Sequence, residues 1–385
     1  MNILVQLSHP AHFHLYKNAI HSWQKDGHQV FVLIKTKDIL ETLLQNAAIP
    51  YYNILPVAHR RSRIGILWDM FVREWRMIRF CRKHHIDLLT GSTPEVAHVA
   101  TLTGRYSVNT GEDDADVIAM FIRIARPFIQ GYLAPTVCAM GAVEGRTTHY
   151  PSYHELAYLH PNHFTPDRAV VERYGIEVYK PYFILRFAQL TAHHDAGIRG
   201  INTAVAQRLI DILSPHGRIY ITSERPLEPQ FEAYRIHINP LDMHSVMAFA
   251  SLYIGDSQTM AAEAGVLGVP FVRFNDFVGR IGYLRELEDI YHLGAGIHAT
   301  PLTDESPIRR ADGSAQPSGV EALYATVEKL VSMPAEERKR LYAARRQQML
   351  SEKIDAAAFL TWFIEHYPAS AEEAKDPSFD WSRFR

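Results

Sequence analysis

Three histidines lie close together near the start of the chain, at positions 9, 12 and 14 within QLSHPAHFHLYKN (6–18). Imidazole titrates near neutral pH, so such groups could bind a metal ion or transfer a proton. His12 and His14 are two residues apart and would diverge by about 200° on a helix, which makes joint zinc chelation a weak hypothesis. We predict that His14 is a partly buried helical residue, and we keep His9 and His12 as candidate site residues.

A second segment that could bind a ligand is ASLYIGDSQTMAAEAGVLGVP (250–270), which has the pattern of a buried strand, a turn and a helix of small residues. A helix N-terminus offers backbone N–H groups and a positive dipole end to an anion, and small side chains let a phosphate approach. Thr259 and Glu263 share one helix face, so Glu263 could accept both ribose hydroxyls of a nucleotide. Alternatively, Ser257 is only a helix cap and Glu263 a solvated residue. The candidate contacts are Asp256, Ser257, Gln258, Thr259 and Glu263.

The elements that must position these residues follow from alternating apolar runs and helical patterns. A first series of predicted strands comprises NILVQL, QVFVLI, YYNIL, DLLTG, SVNTG and TVCAM, and a second comprises YFILRF, RIYITS, RIHIN, SLYIGD and PFVRF. Two such series predict two doubly wound α/β domains that face one another across a cleft. We predict an interdomain connection at 141–181 and a helix-rich close at 319–366. The predicted domains are 1–165, 166–345 and a C-terminal helix and tail, 346–385, that packs on the first domain.

Composition narrows the function classes. The chain has 385 residues, of which 47% are hydrophobic and 21% charged, and its formal net charge is −2. That balance predicts no nucleic-acid partner. Cys81 and Cys138 have no zinc or redox spacing, and the N-terminus lacks the features of a signal peptide, so we predict a cytoplasmic protein.

Residues 59–85, HRRSRIGILWDMFVREWRMIRFCRKHH, join a basic loop to a helix with apolar residues at helical spacing. We expect those apolar residues to face the domain core and the arginines to form a solvated face. The alternative is peripheral contact of 59–83 with the inner face of the membrane. The apolar residues are Leu67, Met70, Phe71, Trp75 and Ile78.

Several longer motifs resemble, in order, the GT-B-like family known as domain of unknown function 354. They are SHPAHFHLYKN, GEDDA, YHELAYLHP, RFAQLTAHHDAGIRG, DSQTMAAEAGVLGVP and NDFVGRIGYLRELE. The turn at Asp256, Ser257 and Glu263 also resembles the donor-nucleotide turn of GT-B glycosyltransferases and non-hydrolysing UDP-N-acetylglucosamine epimerases, which reads roughly D-S-G-G-x-Q-E-E. The resemblance implies two Rossmann-like domains about a central cleft, with the acceptor half first and the nucleotide-sugar half second.

Within that resemblance, the first-domain candidates are the early histidines and an acidic turn. His9 and His12 would face the sugar chemistry, with His12 the preferred general base. Glu112 and Asp113 follow a predicted strand in VNTGEDDADV, and Glu112 is the nearest match to a catalytic glutamate of the epimerases. The alternative is that these acids only complement a helix dipole.

Basic residues of the second domain could contact a diphosphate. Arg186, His193 and His194 lie on or just after its first predicted strand. The epimerases read T-x-H-R-x-E-N at the comparable place; Thr191 and His193 fit, but His194 replaces the arginine and the Glu-Asn pair is missing. Arg280 is a further candidate, or an exposed arginine without a role.

The choice between reactions depends on Ser92. The epimerases have an acid at this turn, in G-D-T, whereas this chain has Gly91-Ser92-Thr93. We therefore favour a glycosyltransferase that uses a nucleotide-diphosphate sugar, with UDP as the expected nucleotide and a carbohydrate or glycolipid acceptor in cell-surface synthesis. An epimerase and a catalytically silent nucleotide- or sugar-binding protein are the alternatives. We predict no essential metal and no cofactor besides the nucleotide-sugar substrate, because GT-B enzymes usually stabilise the leaving diphosphate with a helix dipole and basic groups.

Overall fold

The structure is a computed structural model that describes residues 1–35, 39–55, 63–188, 200–303 and 308–385. It divides into two compact units. The first comprises Met1–His163 with Lys353–Arg385, and the second comprises Phe164–Glu352.

The first unit is built on a parallel sheet with strand order β3-β2-β1-β4-β5-β6-β7. The interior strand β1 is almost wholly buried and largely apolar, as expected for a parallel strand with helices on both faces. The strands are β1 (Asn2–Leu7), β2 (Gln29–Lys35), β3 (Tyr51–Leu55), β4 (Leu88–Gly91), β5 (Tyr106–Thr110), β6 (Gly131–Pro135) and β7 (Thr147–Tyr150).

Helices connect these strands, as parallel pairing requires. They are α1 (Pro10–Lys25), α2 (Leu40–Asn46), α3 (Arg63–Lys83), α4 (Pro94–Thr103) and α5 (Ala119–Ala125), with a 3₁₀ turn at Gly141–Arg146 between β6 and β7. A short helix, α6 (Leu156–Leu159), follows β7.

The second unit repeats the architecture with strand order β12-β11-β10-β8-β9, again in parallel. Its strands are β8 (Tyr182–Phe187), β9 (Arg218–Ser223), β10 (Leu252–Gly255), β11 (Phe271–Asn275) and β12 (Gly294–His298). Its helices are α7 (Arg168–Glu172), α8 (Thr203–Leu213), α9 (Met243–Ala248), α10 (Gln258–Leu267), α11 (Gly282–Arg285), α12 (Gly319–Ser332) and α13 (Ala335–Glu352), with a 3₁₀ turn at Pro229–Tyr234 and a π-helical turn at Glu286–Ile290.

The C-terminal segment is held to the first unit by Asp355. This carboxylate caps α14 (Ala356–Glu365) and accepts a hydrogen bond from His163 at 2.8 Å. Although burial raises its pKa, the hydrogen bonds, led by that from His163, hold it below the ordinary value. Beyond α15 (Ala369–Glu373), the terminal turn Trp381–Phe384 packs its rings on Phe359.

Three predicted elements are wrong. TVCAM is a turn, and the strand is the preceding GYLAP, Gly131–Pro135, whose terminal glycine and proline resemble loop residues in sequence. Part of the predicted interdomain connection is β7, which pairs with β6. RIHIN forms a single bridge from Arg235 to Ile221 instead of a strand.

None of the helices within the described ranges has the length and apolar character needed to cross a membrane.

Candidate functional site

His9 and His12 lie in the turn after β1. His9 is the N-cap of α1, and its Nδ1 accepts a hydrogen bond from the Ala11 backbone N–H at 3.2 Å. Pro10 occupies the first helical position, where its fixed φ suits the helix and its missing N–H costs nothing. His14 lies on α1, as predicted, and is buried rather than partly buried, beside Tyr158.

The ring of His12 turns back towards the end of β1. Its Nδ1 lies 3.3 Å from Ser8 Oγ and 3.4 Å from the Ser8 backbone nitrogen. Because a backbone N–H can only donate, this contact makes Nδ1 an acceptor and places the proton of a neutral His12 on Nε2. In this arrangement His12 can donate a hydrogen bond from Nε2, which is a different task from accepting a proton there.

Ser92 lies at the carboxyl end of β4, within a network of hydroxyl groups. Its Oγ is 2.9 Å from Thr110 Oγ1, which in turn is 3.1 Å from Tyr16 Oη. Burial raises the pKa of Tyr16 to about 12, so this phenol stays neutral. Gly91 has φ +151°, and a Cβ there would stand 2.5 Å from the Gln6 carbonyl oxygen, which explains the glycine before the turn.

The acidic turn follows β5 and is held in place by contacts with Cys138 and His154. The thiol of Cys138 donates to the Glu112 carbonyl oxygen at 3.0 Å, and the Glu112 carboxylate lies 3.4 Å from Nδ1 of His154. Burial lowers the pKa of His154 to about 3, so this contact joins a neutral imidazole to the carboxyl group. Asp113 is half-buried beside Tyr132, and burial, with the Asp113 charge as a smaller contribution, raises the pKa of that phenol.

In the second unit, Asp256 lies at the carboxyl end of β10 and makes structural bonds. One carboxylate oxygen accepts the Ala188 N–H at 2.7 Å and the other accepts the Ile201 N–H at 3.3 Å. Burial raises its pKa to about 6, despite these hydrogen bonds. Asp256 therefore joins three chain segments at this edge of the sheet.

The predicted helix start after Asp256 is confirmed. Ser257 is the N-cap of α10, and its hydroxyl accepts from the Met260 N–H at 3.5 Å. Gln258 and Thr259 form the first turn and are half-buried. The rest of the helix, residues 261–267, is buried, and four of these seven residues are alanine or glycine.

Glu263 is buried and paired, so the alternative that it is a solvated helical residue is wrong. Its Oε1 lies 3.0 Å from Nε2 of His244 on α9, and both side chains are at most 6% exposed. The ring of Phe164 packs edge-on against His244, with centroids 6.1 Å apart. The helix face shared by Thr259 and Glu263 therefore contacts a histidine of α9.

Polar residues on β11 form a buried network that supports the β10–α10 turn. This network was not predicted from the sequence. Asn275 donates to the Asp256 carbonyl oxygen at 2.9 Å and accepts from the Phe277 N–H at 2.9 Å. Arg273, on the same strand and fully buried, donates from Nε to Glu288 at 2.9 Å. The only available sequence signal was an arginine and an asparagine inside PFVRFN, a run otherwise typical of an apolar buried strand.

The predicted basic residues of this unit differ in burial and in their contacts. Arg186, on β8, pairs with Glu224, and its Nε is buried with no hydrogen-bond partner among the described residues. Arg280 is exposed, with its guanidinium 5.9 Å from the Phe277 ring centroid. His193 and His194 lie outside the described residues.

The structure therefore collects the candidates at the carboxyl ends of strands in each unit. In the first unit these are the turns after β1, β4 and β5, and in the second they are the end of β8, which carries Arg186, and the turn from β10 into α10, while Arg280 follows β11. In doubly wound domains this is the edge where ligands bind. Within the residues that the structure describes, no group of three His, Cys, Asp or Glu side chains is placed to hold a metal ion.

The chain matches no protein-family model and no curated protein sequence, so membership of domain of unknown function 354 stays a prediction. Solved structures do resemble it. The spinosyn rhamnosyltransferase SpnG in complex with thymidine diphosphate has a TM-score of 0.58 and 13% identity, over 94% of this chain and 100% of that chain.

Epimerase structures resemble the chain as well. The S. aureus MnaA–UDP structure has a TM-score of 0.64 and 12% identity, over 96% of this chain and 98% of that chain. A UDP-N-acetylglucosamine 2-epimerase has a TM-score of 0.62 and 12% identity, over 99% and 98%. These likenesses confirm the predicted fold class, an α/β GT-B-like fold with two Rossmann-like domains.

Proposed function

We propose that the protein is a glycosyltransferase that takes a sugar from a nucleotide-diphosphate sugar, with UDP as the expected nucleotide. One observation carries the proposal: the β10–α10 turn combines a helix N-terminus with a buried carboxylate one helical turn further along the same face. The N-terminal N–H groups suit a phosphate and the carboxylate of Glu263 suits ribose hydroxyls. SpnG with thymidine diphosphate and MnaA with UDP, which share the fold, support a nucleotide ligand.

In this proposal, residues of the second domain hold the donor. Ser257, Gln258 and Thr259 surround the diphosphate at the start of α10, while Glu263 accepts the ribose hydroxyls. Asp256 holds the turn, because both of its carboxylate oxygens accept backbone N–H groups. Arg186 contributes a positive charge to the leaving diphosphate.

Three further second-domain assignments rest on the sequence alone. His193 and His194 would add contacts to the sugar diphosphate, and Arg280 would pair with it as an exposed arginine on the turn after β11. With a helix dipole and basic groups available to stabilise the leaving group, the proposed reaction requires no metal ion and no cofactor.

In the first domain, we assign the base to Glu112 and a hydrogen-bond donor role to His12. His154, 3.4 Å from the Glu112 carboxylate, is neutral and so places no positive charge beside the proposed base. Glu112 takes the proton of the acceptor hydroxyl while that oxygen bonds to the anomeric carbon, and the bond to the diphosphate oxygen breaks. His12 donates from Nε2, His9 lines the same turn, and Asp113 contributes negative charge beside Glu112.

Transfer is favoured over epimerisation by Ser92. Its hydroxyl lies in a neutral network with Thr110 and Tyr16, where the epimerases resembled by this chain have an acid. Epimerisation remains the second candidate, because Glu112 and Asp113 supply two acids at one turn. The acceptor in the proposed reaction is a carbohydrate or glycolipid of cell-surface synthesis.

The test is product analysis with purified protein, a panel of nucleotide sugars and a mixture of carbohydrate and lipid-linked acceptors. Release of the nucleoside diphosphate with a glycosylated product supports transfer, whereas conversion of the donor sugar to its epimer without acceptor supports epimerisation. Binding without either product would identify a silent binding protein.

Variants then test the assigned roles. We expect Glu112→Gln to lower turnover at least 100-fold and His12→Ala to lower it less. Full turnover in Glu112→Gln with loss in His12→Ala would reverse the two assignments.

A further inference from the structure

Helix α3 presents large aromatic side chains to solvent. Trp68, Phe71 and Trp75 are 54%, 58% and 50% exposed, so the expectation that Phe71 and Trp75 face the core is wrong. Met70 and Ile78 are half-buried, and Leu67 lies outside the described side chains. With Arg79 and Arg82, which are also exposed, these aromatic residues occupy an arc of about 80° at 100° per residue. We call Trp68, Phe71, Trp75, Arg79 and Arg82 the α3 outer face.

The opposite side of the same helix is buried, which fixes the orientation of the outer face. Met77 and Cys81 are fully buried in the hydrophobic core of the first domain. Arg73, also on the inner side, donates from Nε to the buried Glu95 at 2.8 Å. Thus α3 buries a charged residue and exposes two tryptophans, the reverse of the usual distribution.

The charge of α3 identifies the partner class. Residues 63–83 contain six Lys and Arg against two acids, whereas the whole chain has a net charge of −2. One of the acids, Glu74, is engaged by His98 at 2.5 Å and the other, Asp69, is buried. A second copy of the chain would bring like charges together, so charge complementarity favours an anionic surface.

The arrangement along the helix fits a lipid surface. The aromatic residues occupy the first half of the outer face and the arginines the second, over about 21 Å. The Arg79 guanidinium lies 4.8 Å from the Trp75 ring centroid, which joins a cation to an amphipathic ring. Tryptophan and phenylalanine enter the headgroup region while arginine pairs with anionic headgroups.

We infer that the α3 outer face docks on the surface of an anionic lipid bilayer. The contact involves the first domain alone and does not depend on the reaction proposed above. Residues 59–62 lie outside the described residues and have no part in the inference.

The experiment is cosedimentation of the full-length protein with vesicles. One set contains phosphatidylcholine alone, and the other contains equal parts of phosphatidylcholine and phosphatidylglycerol. We expect binding to the anionic set only, and weaker binding at about 1 M salt, where the Debye length is about 3 Å. The double variant Trp68→Ser/Trp75→Ser should lower the partition coefficient at least tenfold. The double variant Arg79→Glu/Arg82→Glu should lower the partition coefficient at least 25-fold, because each cation removed lowers it about fivefold.

A matched control is available on the second domain. Tyr179 is 76% exposed, and Arg168 lies 3.9 Å from its ring centroid, so this pair repeats the aromatic–arginine motif on another surface. The control variant Tyr179→Ser/Arg168→Glu should bind the anionic vesicles as well as the unaltered protein does.

Three outcomes would overturn the inference. The unaltered protein fails to bind anionic vesicles, or the outer-face variants bind as well as the control. In the third, the unaltered protein sediments as a dimer that the tryptophan variant converts to monomers, with no lipid binding, which would make the outer face an interface between two copies.

Discussion

Replacing Glu263 by alanine removes one half of a buried pair. Glu263 Oε1 lies 3.0 Å from His244 Nε2, and the two side chains are only 6% and 5% exposed, so water cannot replace the lost carboxylate. Leaving a buried polar group without its partner costs about 1–3 kcal/mol, and the removed methylene groups add to that cost. We expect Glu263→Ala to lower the free energy of unfolding by about 3 kcal/mol.

Glu263→Gln is the matched control for this prediction. Its side-chain carbonyl can still accept from His244 Nε2 in the same space, so the free energy of unfolding should fall by less than about 1 kcal/mol. For a unit of this size, about 2–4 °C corresponds to 1 kcal/mol. The alanine variant should therefore melt roughly 6–12 °C below the unaltered protein, and the glutamine variant within roughly 4 °C of it.

Differential scanning calorimetry without nucleotide measures both values, and a double-mutant cycle with His244→Ala isolates the contact. We expect a coupling energy of about 1–3 kcal/mol between the two positions. If Glu263→Ala and Glu263→Gln melt together, or if the two alanine substitutions are simply additive, the buried pair does not stabilise the domain as argued. A consequence is that nucleotide binding should be tested with Glu263→Gln rather than Glu263→Ala.

Three further predictions concern single groups. In the folded protein the pKa of His154 is about 3, whereas histidine in the unfolded chain takes a proton near pH 6.5. The free energy of unfolding should therefore fall as the pH drops through this range. Urea unfolding measured across it should show that His154→Gln removes up to about 5 kcal/mol of this loss. The pH dependence that Asp256 contributes has the opposite sign, because its pKa in the folded protein, about 6, exceeds the ordinary 3.8. The free energy of unfolding should fall by up to about 3 kcal/mol as the pH rises from about 4 to 6, and the same urea series on Asp256→Asn should lack this fall. Ser257→Ala removes the α10 cap and should cost about 1 kcal/mol by thermal unfolding, with Ser257→Thr retaining most of it; equal melting of the two variants would contradict the cap.

The parallel α/β architecture was predictable because its signal is local. Buried strands such as β1 and β10 are largely apolar runs, and α10 has a serine at its cap and a series of small residues from Ala261. Strand β6 escaped prediction because its bounding glycine and proline resemble a loop, although all five of its residues are buried.

The contacts that define the site were not predictable from spacing. His244 and Glu263 are 19 residues apart, and Asn275 is as far from Asp256, so only the fold brings each pair together. The orientation of α3 was ambiguous for another reason, because apolar residues repeat on both of its sides. Tertiary packing buries Met77 and leaves Trp75 outside, a choice that helical periodicity alone does not make.

The central claim is that the β10–α10 turn of the second domain binds a nucleoside diphosphate. Thermal unfolding with a panel of nucleoside diphosphates, on the unaltered protein and on Glu263→Gln, tests it most directly. A ligand at about 100 times its dissociation constant adds about 2.7 kcal/mol, which should raise the melting temperature by several degrees. We predict that UDP gives this rise and that Glu263→Gln, though stably folded, loses most of it. No rise with any nucleoside diphosphate, or an equal rise in the variant, would contradict the claim.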